Sequence, residues 1–378
     1  MPHPIGLDYT AAIHQGAGIG RYVREMTRAL VRLRPDADLR LFAAGVNRRD
    51  QPSPTLPATF CPSPLSERTH NRLWYRLRAP LPVELWTGRL DLFHAADFTL
   101  PPTLPGTRTV LTVYDLAYEF YPDEAMPGMV RYLSTVVPRS ARRADHVLTI
   151  SEATRADLIR QYRIPAEKIS IAYPGVEGRF QPQPDLEREA ALRARLDLPH
   201  APLVLTVGTL QPRKNHLGLV EAFALLAGAS DAVLVIAGGE GWAYEGVKRR
   251  VAELGLAQRV RLIGFVPDDD LPALYRLADV FAYPALYEGF GLPVLEAMAS
   301  GVPVVTSDRS SMPEITGPDA GLLVDPGSVE GVAEAISTLL SDSGLAAHLR
   351  ERGLARAKAF TWERTAQAVW GVYDRLLG

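Results

Sequence analysis

The sequence predicts an α/β protein built from two doubly wound domains, each with a parallel sheet covered by helices on both faces. Three observations carry this. Short β-branched runs alternate with segments of helical period almost from end to end, the pattern of successive βαβ units. The chain has 378 residues, more than one ordinary core needs and enough for two of middling size. A Pro-rich, polar stretch without hydrophobic periodicity, Gln181-Pro-Gln-Pro-Asp185, interrupts the alternation near the middle. It divides the chain into an amino-terminal domain at 1–180 and a carboxyl-terminal domain at 181–360, with a final helix from Thr361.

In the first domain Ile5–Asp8 reads as a strand, followed by the glycine loop Gly16-Ala-Gly-Ile-Gly20 and then a helix. Ile19, Val23, Met26, Leu30 and Leu33 recur along that helix at the spacing of one apolar face, with arginines between them. Val110–Tyr114, Val147–Ile150 and Ile169–Tyr173 read as further strands, and Ser151 as the cap of the helix that follows. The second domain restarts with a strand at Leu203–Val207 and a helix from Asn215, then a strand at Val233–Ala237 and a helix near Tyr244. Val260–Ile263, a helix from Asp270, Val280–Tyr283, a helix from Leu292 and Val302–Thr306 complete the alternation. Such domains take ligands at the carboxyl ends of their strands, so a cleft between the two is expected.

Composition excludes several classes. Hydrophobic residues at 47% and charged residues at 22% are globular proportions, and a net charge of −2 gives no electrostatic case for nucleic acid. Cys61 is the only cysteine, so no intrachain disulfide is possible and no cysteine cluster can hold metal; a reducing cytosol suits this. The start lacks a basic region followed by an apolar run, and no stretch approaches the ~20 apolar residues that span a bilayer. Contact with a membrane is therefore expected to be peripheral at most. Asn71-Arg-Leu-Trp-Tyr-Arg-Leu-Arg78 interleaves basic and aromatic residues and fits either such a contact or, more commonly, a surface helix burying Leu73, Trp74 and Leu77.

The most informative segment is Phe281-Ala-Tyr-Pro-Ala-Leu-Tyr-Glu-Gly-Phe-Gly-Leu-Pro-Val-Leu-Glu296. A strand ends at Tyr283-Pro284, a loop carrying Gly289, Phe290 and Gly291 follows, and a helix starts at Leu292 with Pro293 in its first turn, where a missing N–H costs little. Free amides at such a start bind an anion, and the glycines let a ligand approach the backbone. Glu288 precedes the anion site and Glu296 lies about one turn beyond Leu292. Carboxylates accept hydroxyl hydrogen bonds in pairs, which suits a sugar and a ribose around a phosphate. Gly301 closes the helix.

A second anion site is expected in Val207-Gly-Thr-Leu-Gln-Pro-Arg-Lys-Asn215. Gly208 permits the turn after the strand, and Arg213 and Lys214 stand just before a helix start, placed to neutralise a diphosphate leaving group. Gly18 and Gly20 in the first loop do not match the dinucleotide fingerprint; that loop either exposes amides to a phosphate or is a conformational turn. Asp115 follows a strand and fits two roles equally, holding sugar or acceptor hydroxyls or capping local backbone. His94 and Asp97 read as structural. No His, Asp or Glu set has metal-ligand spacing, and Asp268-Asp-Asp270 reads as a solvated helix cap.

Together these motifs resemble the retaining glycosyltransferases of the GT-B architecture, specifically glycosyltransferase family four. The resemblance covers nearly the whole chain and is strongest in Val204–Asn215 and Arg259–Val324, with Gly264-Phe-Val-Pro, Glu296-Ala-Met-Ala-Ser-Gly-Val-Pro and Gly321-Leu-Leu-Val-Asp-Pro. It implies two Rossmann-like domains facing a central cleft, the first for the acceptor and the second for the nucleotide sugar, with the helix 361–378 crossing back onto the first. Carried over by position, Glu288 contacts the transferred sugar and Glu296 the ribose. Arg213 and Lys214 hold the diphosphate with amides near Gly291 and Leu292. Gly264, Phe265 and Val266 lie near the base, and Gly18 to Gly20 close over the phosphates. No metal or cofactor is implied; the nucleotide diphosphate sugar is a substrate. The family often has His-Asp where this chain has Tyr114-Asp115, so a histidine contact to the donor sugar is missing. The opening Gly-Ile-Gly-Arg-Tyr22 is similar to members that build bacterial polysaccharides, often from GDP-mannose.

The function expected is transfer of a hexose, from GDP-mannose or alternatively UDP-glucose, to a saccharide or lipid-linked acceptor. Two other classes share the fold, a different enzyme such as a sugar-nucleotide epimerase or a glycan phosphorylase, and a non-catalytic sugar-nucleotide-binding protein. A phosphorylase needs a lysine bearing pyridoxal phosphate, and Lys214, one of four lysines, already has a phosphate role.

Overall fold

A computed structural model describes residues 3–16, 18–47, 55–124, 126–228 and 230–378. The chain divides into two compact units, one formed by Met1–Gly175 with Thr361–Gly378 and the other by Val176–Phe360.

The first unit holds a seven-stranded sheet. In chain order its strands are β1 (Ile5–Asp8), β2 (Leu39–Ala44), β3 (Thr59–Ser63), β4 (Leu92–Ala95), β5 (Arg108–Val113), β6 (His146–Thr149) and β7 (Ile169–Ile171). Their spatial order is β3-β2-β1-β4-β5-β6-β7, all parallel, so the winding reverses between β1 and β4. Strands covered on both faces read as apolar runs rather than alternating ones, and β4 is buried throughout. Within the sheet, His94 is fully buried between the Tyr373 hydroxyl (2.7 Å from Nδ1) and Thr112 Oγ1 (2.7 Å from Nε2). Burial drops its pKa to about 3, and the ring is a neutral structural link.

The helix Ile19–Leu33 buries Val23, Met26 and Leu30 completely, but Leu33 is exposed because the helix ends there. The closing helix Trp362–Leu377, capped by the Thr361 side chain, lies against it: Trp370 Nε1 donates to Leu30 O (3.2 Å), and Arg34 pairs with Asp374 (2.5 Å). Ser151 caps the helix Glu152–Tyr162 by accepting from Thr154 N. The 71–78 segment is not a regular surface helix. Glu67–Asn71 continues as a π turn over Arg72–Arg76, closed by Leu77 N donating to Arg72 O. The wider turn keeps Trp74 in the core and leaves Leu77 in solvent, 69% exposed. Among the described residues no helix is long and apolar enough to cross a membrane.

The second unit repeats the plan with six strands: β8 (Leu203–Val207), β9 (Val233–Ala237), β10 (Val260–Gly264), β11 (Val280–Tyr283), β12 (Val304–Ser307) and β13 (Leu322–Val324). The order is β10-β9-β8-β11-β12-β13, again parallel, with the reversal between β8 and β11. The helix Leu292–Ala299 ends in a Schellman arrangement. Gly301 (φ 76°) donates to Met298 O and Val302 to Ala297 O, and β12 starts two residues later than the sequence pattern placed it. Asp268–Asp270 is no side-chain cap: Asp270 pairs instead with Arg188 and Arg195, and its carboxylate is largely shielded.

The unit boundary falls at Gly175–Val176, ahead of the Pro-rich stretch. Phe180 is buried against Tyr275, and Val176 N donates to Phe360 O, so the segment before Gln181 packs with the second unit. Gly175 has a physical reason to be glycine, since a Cβ there would stand 2.2 Å from Trp362 N.

Candidate active site

Doubly wound sheets bind ligands past the carboxyl ends of their strands where the winding reverses. In the second unit that place is the end of β8 and β11, and three of the sequence-predicted residues meet there. Past β8, a single 3-10 turn at Pro212–Lys214 presents Arg213 and Lys214, and Asn215 in the left-handed conformation (φ 57°) leads into the helix His216–Leu226. Past β11, the loop to Leu292 presents Glu288. Lys214 Nζ lies 2.6 Å and Arg213 Nη1 3.1 Å from the same oxygen, Glu288 Oε1. Gly208 makes room for this: a Cβ there would press on the Lys214 chain at 3.2 Å.

Tyr283, the last residue of β11, completes the cluster. Its hydroxyl donates to Glu288 Oε1 (2.7 Å) and accepts from Lys214 Nζ (2.7 Å). Burial alone would raise the Glu288 pKa. The charges of Arg213 and Lys214, with the hydrogen bonds from Lys214 and Tyr283, outweigh it and bring the value to about 2. The same burial, with Glu288 beside it, pushes the Tyr283 phenol well up, so it stays a neutral donor. The loop is pinned from behind. Ser310 Oγ donates to Glu288 O (2.5 Å) and accepts from Glu288 N (3.2 Å), while Ser311 Oγ lies 2.5 Å from Phe290 O.

Neither acid is solvated. Glu288 is 11% exposed at its side chain, and Glu296, inside the buried helix Leu292–Ala299, is 2% exposed with Oε2 accepting from Tyr275 OH (2.8 Å). The start of that helix carries no side-chain cap: Gly291 (φ 110°) precedes Leu292 and Pro293 stands in the first turn. Uncapped amides of this kind favour an anion. Gly291 is favoured by its backbone, since φ 110° is strained for any L side chain, while a Cβ would also press on the flexible end of Met312. At the end of β10, Gly264 has φ 70° and Phe265 is 72% exposed, a free face for a planar base. Val266 is buried, so its side chain turns to the interior.

The remaining predicted residues belong to the first unit. Asp115 Oδ1 accepts from Ala117 N (2.9 Å), which is local capping. Tyr114 is a packing residue: its hydroxyl donates to Ala96 O (2.6 Å), its ring meets Tyr22 edge-on, and its carbonyl accepts from Thr154 Oγ1. A five-residue helix, Thr10–His14, intervenes between β1 and the glycine loop, and Ala17 of that loop lies outside the described residues. Gly18 (φ 57°) is exposed at the helix start. Gly20 is not in the loop at all but inside the helix Ile19–Leu33, where a Cβ would collide with Gln15 O at 2.1 Å and Ala11 O at 2.6 Å. Its smallness serves the packing of two helices, and its amide lies in the first turn, where backbone N–H groups have no intrahelical partner.

Sequence reasoning missed Tyr283, Tyr275, Ser310, Ser311 and His216. His216 is buried beside the cluster with neither ring nitrogen hydrogen-bonded among the described residues; burial, then Lys214, lowers its pKa to about 3. A tyrosine ending a switch-point strand was the one available signal.

Two cations at a switch point beside an uncapped helix start have the chemistry that suits a phosphate, and the carboxylate they meet has the chemistry that suits hydroxyl groups. Residues 189–356 match the family model of glycosyl transferases group 1 and residues 16–178 that of glycosyltransferase family 4. The chain belongs to this glycosyltransferase family. It is 35% identical over 376 residues to the O-antigen chain mannosyltransferase B of Escherichia coli, covering 95% of this chain and 96% of that one. A D-inositol 3-phosphate glycosyltransferase of Salinispora tropica is 35% identical over 246 residues, 61% of this chain and 51% of its own length. Among solved structures, a sucrose-phosphate synthase from Thermosynechococcus elongatus superposes with a TM-score of 0.77 over 99% of both chains at 24% identity, which shows the shared GT-B fold.

Proposed function

We propose that the protein transfers a hexose, with mannose from GDP-mannose favoured over glucose from UDP-glucose, to a saccharide or lipid-linked acceptor with retention of configuration. The observation that carries this reading is the convergence of Lys214 and Arg213 on Glu288 Oε1. Without donor, the carboxylate holds the two cations in place. An arriving diphosphate competes for those cations with more charge and more acceptor oxygens, which releases Glu288 to accept from sugar hydroxyls. The amides ahead of Leu292 take further phosphate oxygens, Phe265 faces the base, and Glu296 is assigned the ribose.

As the bond from the anomeric carbon to the phosphate oxygen breaks, negative charge builds on the departing diphosphate. Arg213 and Lys214 are fixed where it builds, and preorganised charge of this kind is worth about 10²–10³ in rate per donor. The acceptor hydroxyl oxygen bonds to the anomeric carbon on the same face, and its proton passes to the departing phosphate. The two fixed cations give the diphosphate its countercharge, so the reaction requires no metal. The mannosyltransferase relationship over nearly the full chain supports mannose as the sugar.

Lys214→Ala and Glu288→Ala are each expected to lower transfer from GDP-mannose at least a hundredfold while circular dichroism shows a folded protein. Wild-type rates in both variants would remove the cluster from the reaction.

A further inference from the structure

The Pro-rich stretch at 181–185 falls inside the second unit, so it is not the passage between the units. It forms one wall of a pocket instead. The helices Leu186–Arg195 and Leu271–Arg276 supply other parts of the lining, with Arg188 from the first and Pro272 and Arg276 from the second. Its cavity volume is about 710 Å³, within the range of small-molecule sites. Every lining residue belongs to this unit, and none is among those assigned to the donor.

Arg276 marks the pocket as built to hold a ligand. It closes its helix with a side chain only 9% exposed, and its Nε donates to Glu189 Oε1 (2.6 Å). The same carboxylate oxygen accepts from Asp185 N (3.0 Å), which ties the guanidinium to the Pro-rich wall. Both Nη groups have no hydrogen-bond partner among the described residues, yet neither is sealed from water. A guanidinium nine-tenths buried and held by its Nε thus presents its free end to the pocket that it lines. That end is the fork that meets a planar carboxylate through two N–H···O bonds. The Arg188 guanidinium bonds only through Nη2, to Asp269 O (2.6 Å) and Asp270 Oδ1 (3.5 Å), so its other donors are also free among the described residues.

The lining sets the ligand's charge and its other groups. Arg179, Arg188 and Arg276 stand against Asp185 and Asp269, a surplus of one positive charge, and Glu189 behind Arg276 brings the balance to zero. Such a balance admits one negative charge and opposes two. A phosphate monoester carries about −1.5 to −2 near pH 7 and is therefore disfavoured. Gln181, Gln183 and Asp185 share the wall, and amides that donate and accept beside a carboxylate that accepts are the partners hydroxyl groups satisfy. Leu186, 75% exposed, adds apolar surface for the C–H face of a ring. One carboxylate and several hydroxyls on a small molecule describe a sugar acid.

We infer that this pocket binds a sugar acid of the hexuronate class, its carboxylate bridging the two Nη groups of Arg276 and its hydroxyls meeting Gln181, Gln183 and Asp185. Saturation-transfer NMR on the full chain in phosphate-free buffer, with methyl α-glucuronoside and methyl α-galacturonoside as probes, tests it. The expected result is a signal from at least one uronoside. That signal is expected to fall roughly fivefold in Arg276→Lys, which keeps a charged donor for Glu189 but loses the fork. It is expected to fall roughly threefold in Gln183→Ala, which removes one hydroxyl partner. Methyl α-glucoside and glucose 6-phosphate are the controls for charge, and any signal they give is expected to be equal in wild type and Arg276→Lys. Should circular dichroism show Arg276→Lys unfolded, Gln183→Ala, at an exposed position, carries the test. Absence of signal from both uronosides, or a signal undiminished in the folded variants, overturns the assignment. So does a glucose 6-phosphate signal that falls in Arg276→Lys as far as the uronoside signal does, since the pocket would then be a phosphate site. Transfer from GDP-mannose plays no part in the readout, so the sugar-acid site stands or falls apart from the proposed function.

Discussion

Glu288 and Asp97 occupy matching places in two sheets of the same winding, each past the strand that follows the reversal, and their protons are held in opposite directions. For Glu288, burial favours the neutral form, but Arg213 and Lys214 outweigh it and hold the pKa at about 2. A folded-state value below the unfolded one contributes stability that is complete above pH 4.5 and lost as pH falls toward 2, on the order of 3 kcal/mol. Glu288→Gln removes that contribution and leaves two shielded cations unpaired. Its melting temperature is expected to fall at pH 7 and to converge on wild type only as pH reaches about 2. Asp97 has no cation, and burial with Asp8 and Glu67 raises it to about 7. There the folded state holds the proton more tightly, so stability falls as pH rises from about 4 to 7, and Asp97→Asn is expected to be more stable than wild type at pH 8. Melting curves across pH 2–8 check both; parallel curves for wild type and variants would contradict both. Glu288, Arg213 and Lys214 were legible in the sequence because glycine and proline mark the strand ends that carry them. Tyr283 and Ser310 were not, since their role depends on which distant side chain the fold sets opposite, and His94 read correctly as structural only from its apolar neighbours.

At the scale of elements, two glycines that look alike in sequence do different work. Gly20 lets the helix Ile19–Leu33 close on the short helix Thr10–His14, and a Cβ there meets backbone that cannot step aside. Gly20→Ala is expected to lower the melting temperature by several degrees with the donor affinity of the remaining folded protein unchanged. Gly291 shapes the active-site loop: alanine there faces both φ 110° and the Met312 side chain, so Gly291→Ala is expected to cost at least tenfold in donor KM. Equal donor KM in Gly291→Ala and wild type would show that the loop does not meet the donor. The strands themselves were readable, because strands buried on both faces appear as continuous apolar runs. Less readable were the places where a local irregularity overrides periodicity. The π turn at Arg72–Arg76 releases Leu77 to solvent, and Phe180, packed on Tyr275, carries the chain into the second unit before the Pro-rich stretch begins.

Across the whole molecule, one winding is used twice with two kinds of chemistry at its reversal. The second sheet places fixed positive charge there, and the first places the carboxyl groups of Asp8 and Asp97. The 35% identity to a mannosyltransferase extends over both units. Binding of GDP measured by titration calorimetry tests the assignment of the Arg213–Lys214–Glu288 cluster most directly, because it needs neither acceptor nor turnover. Wild type is expected to bind GDP at least tenfold more tightly than GMP, and Lys214→Ala to erase most of that difference. A Lys214→Ala protein that folds and still binds GDP with wild-type affinity would contradict it.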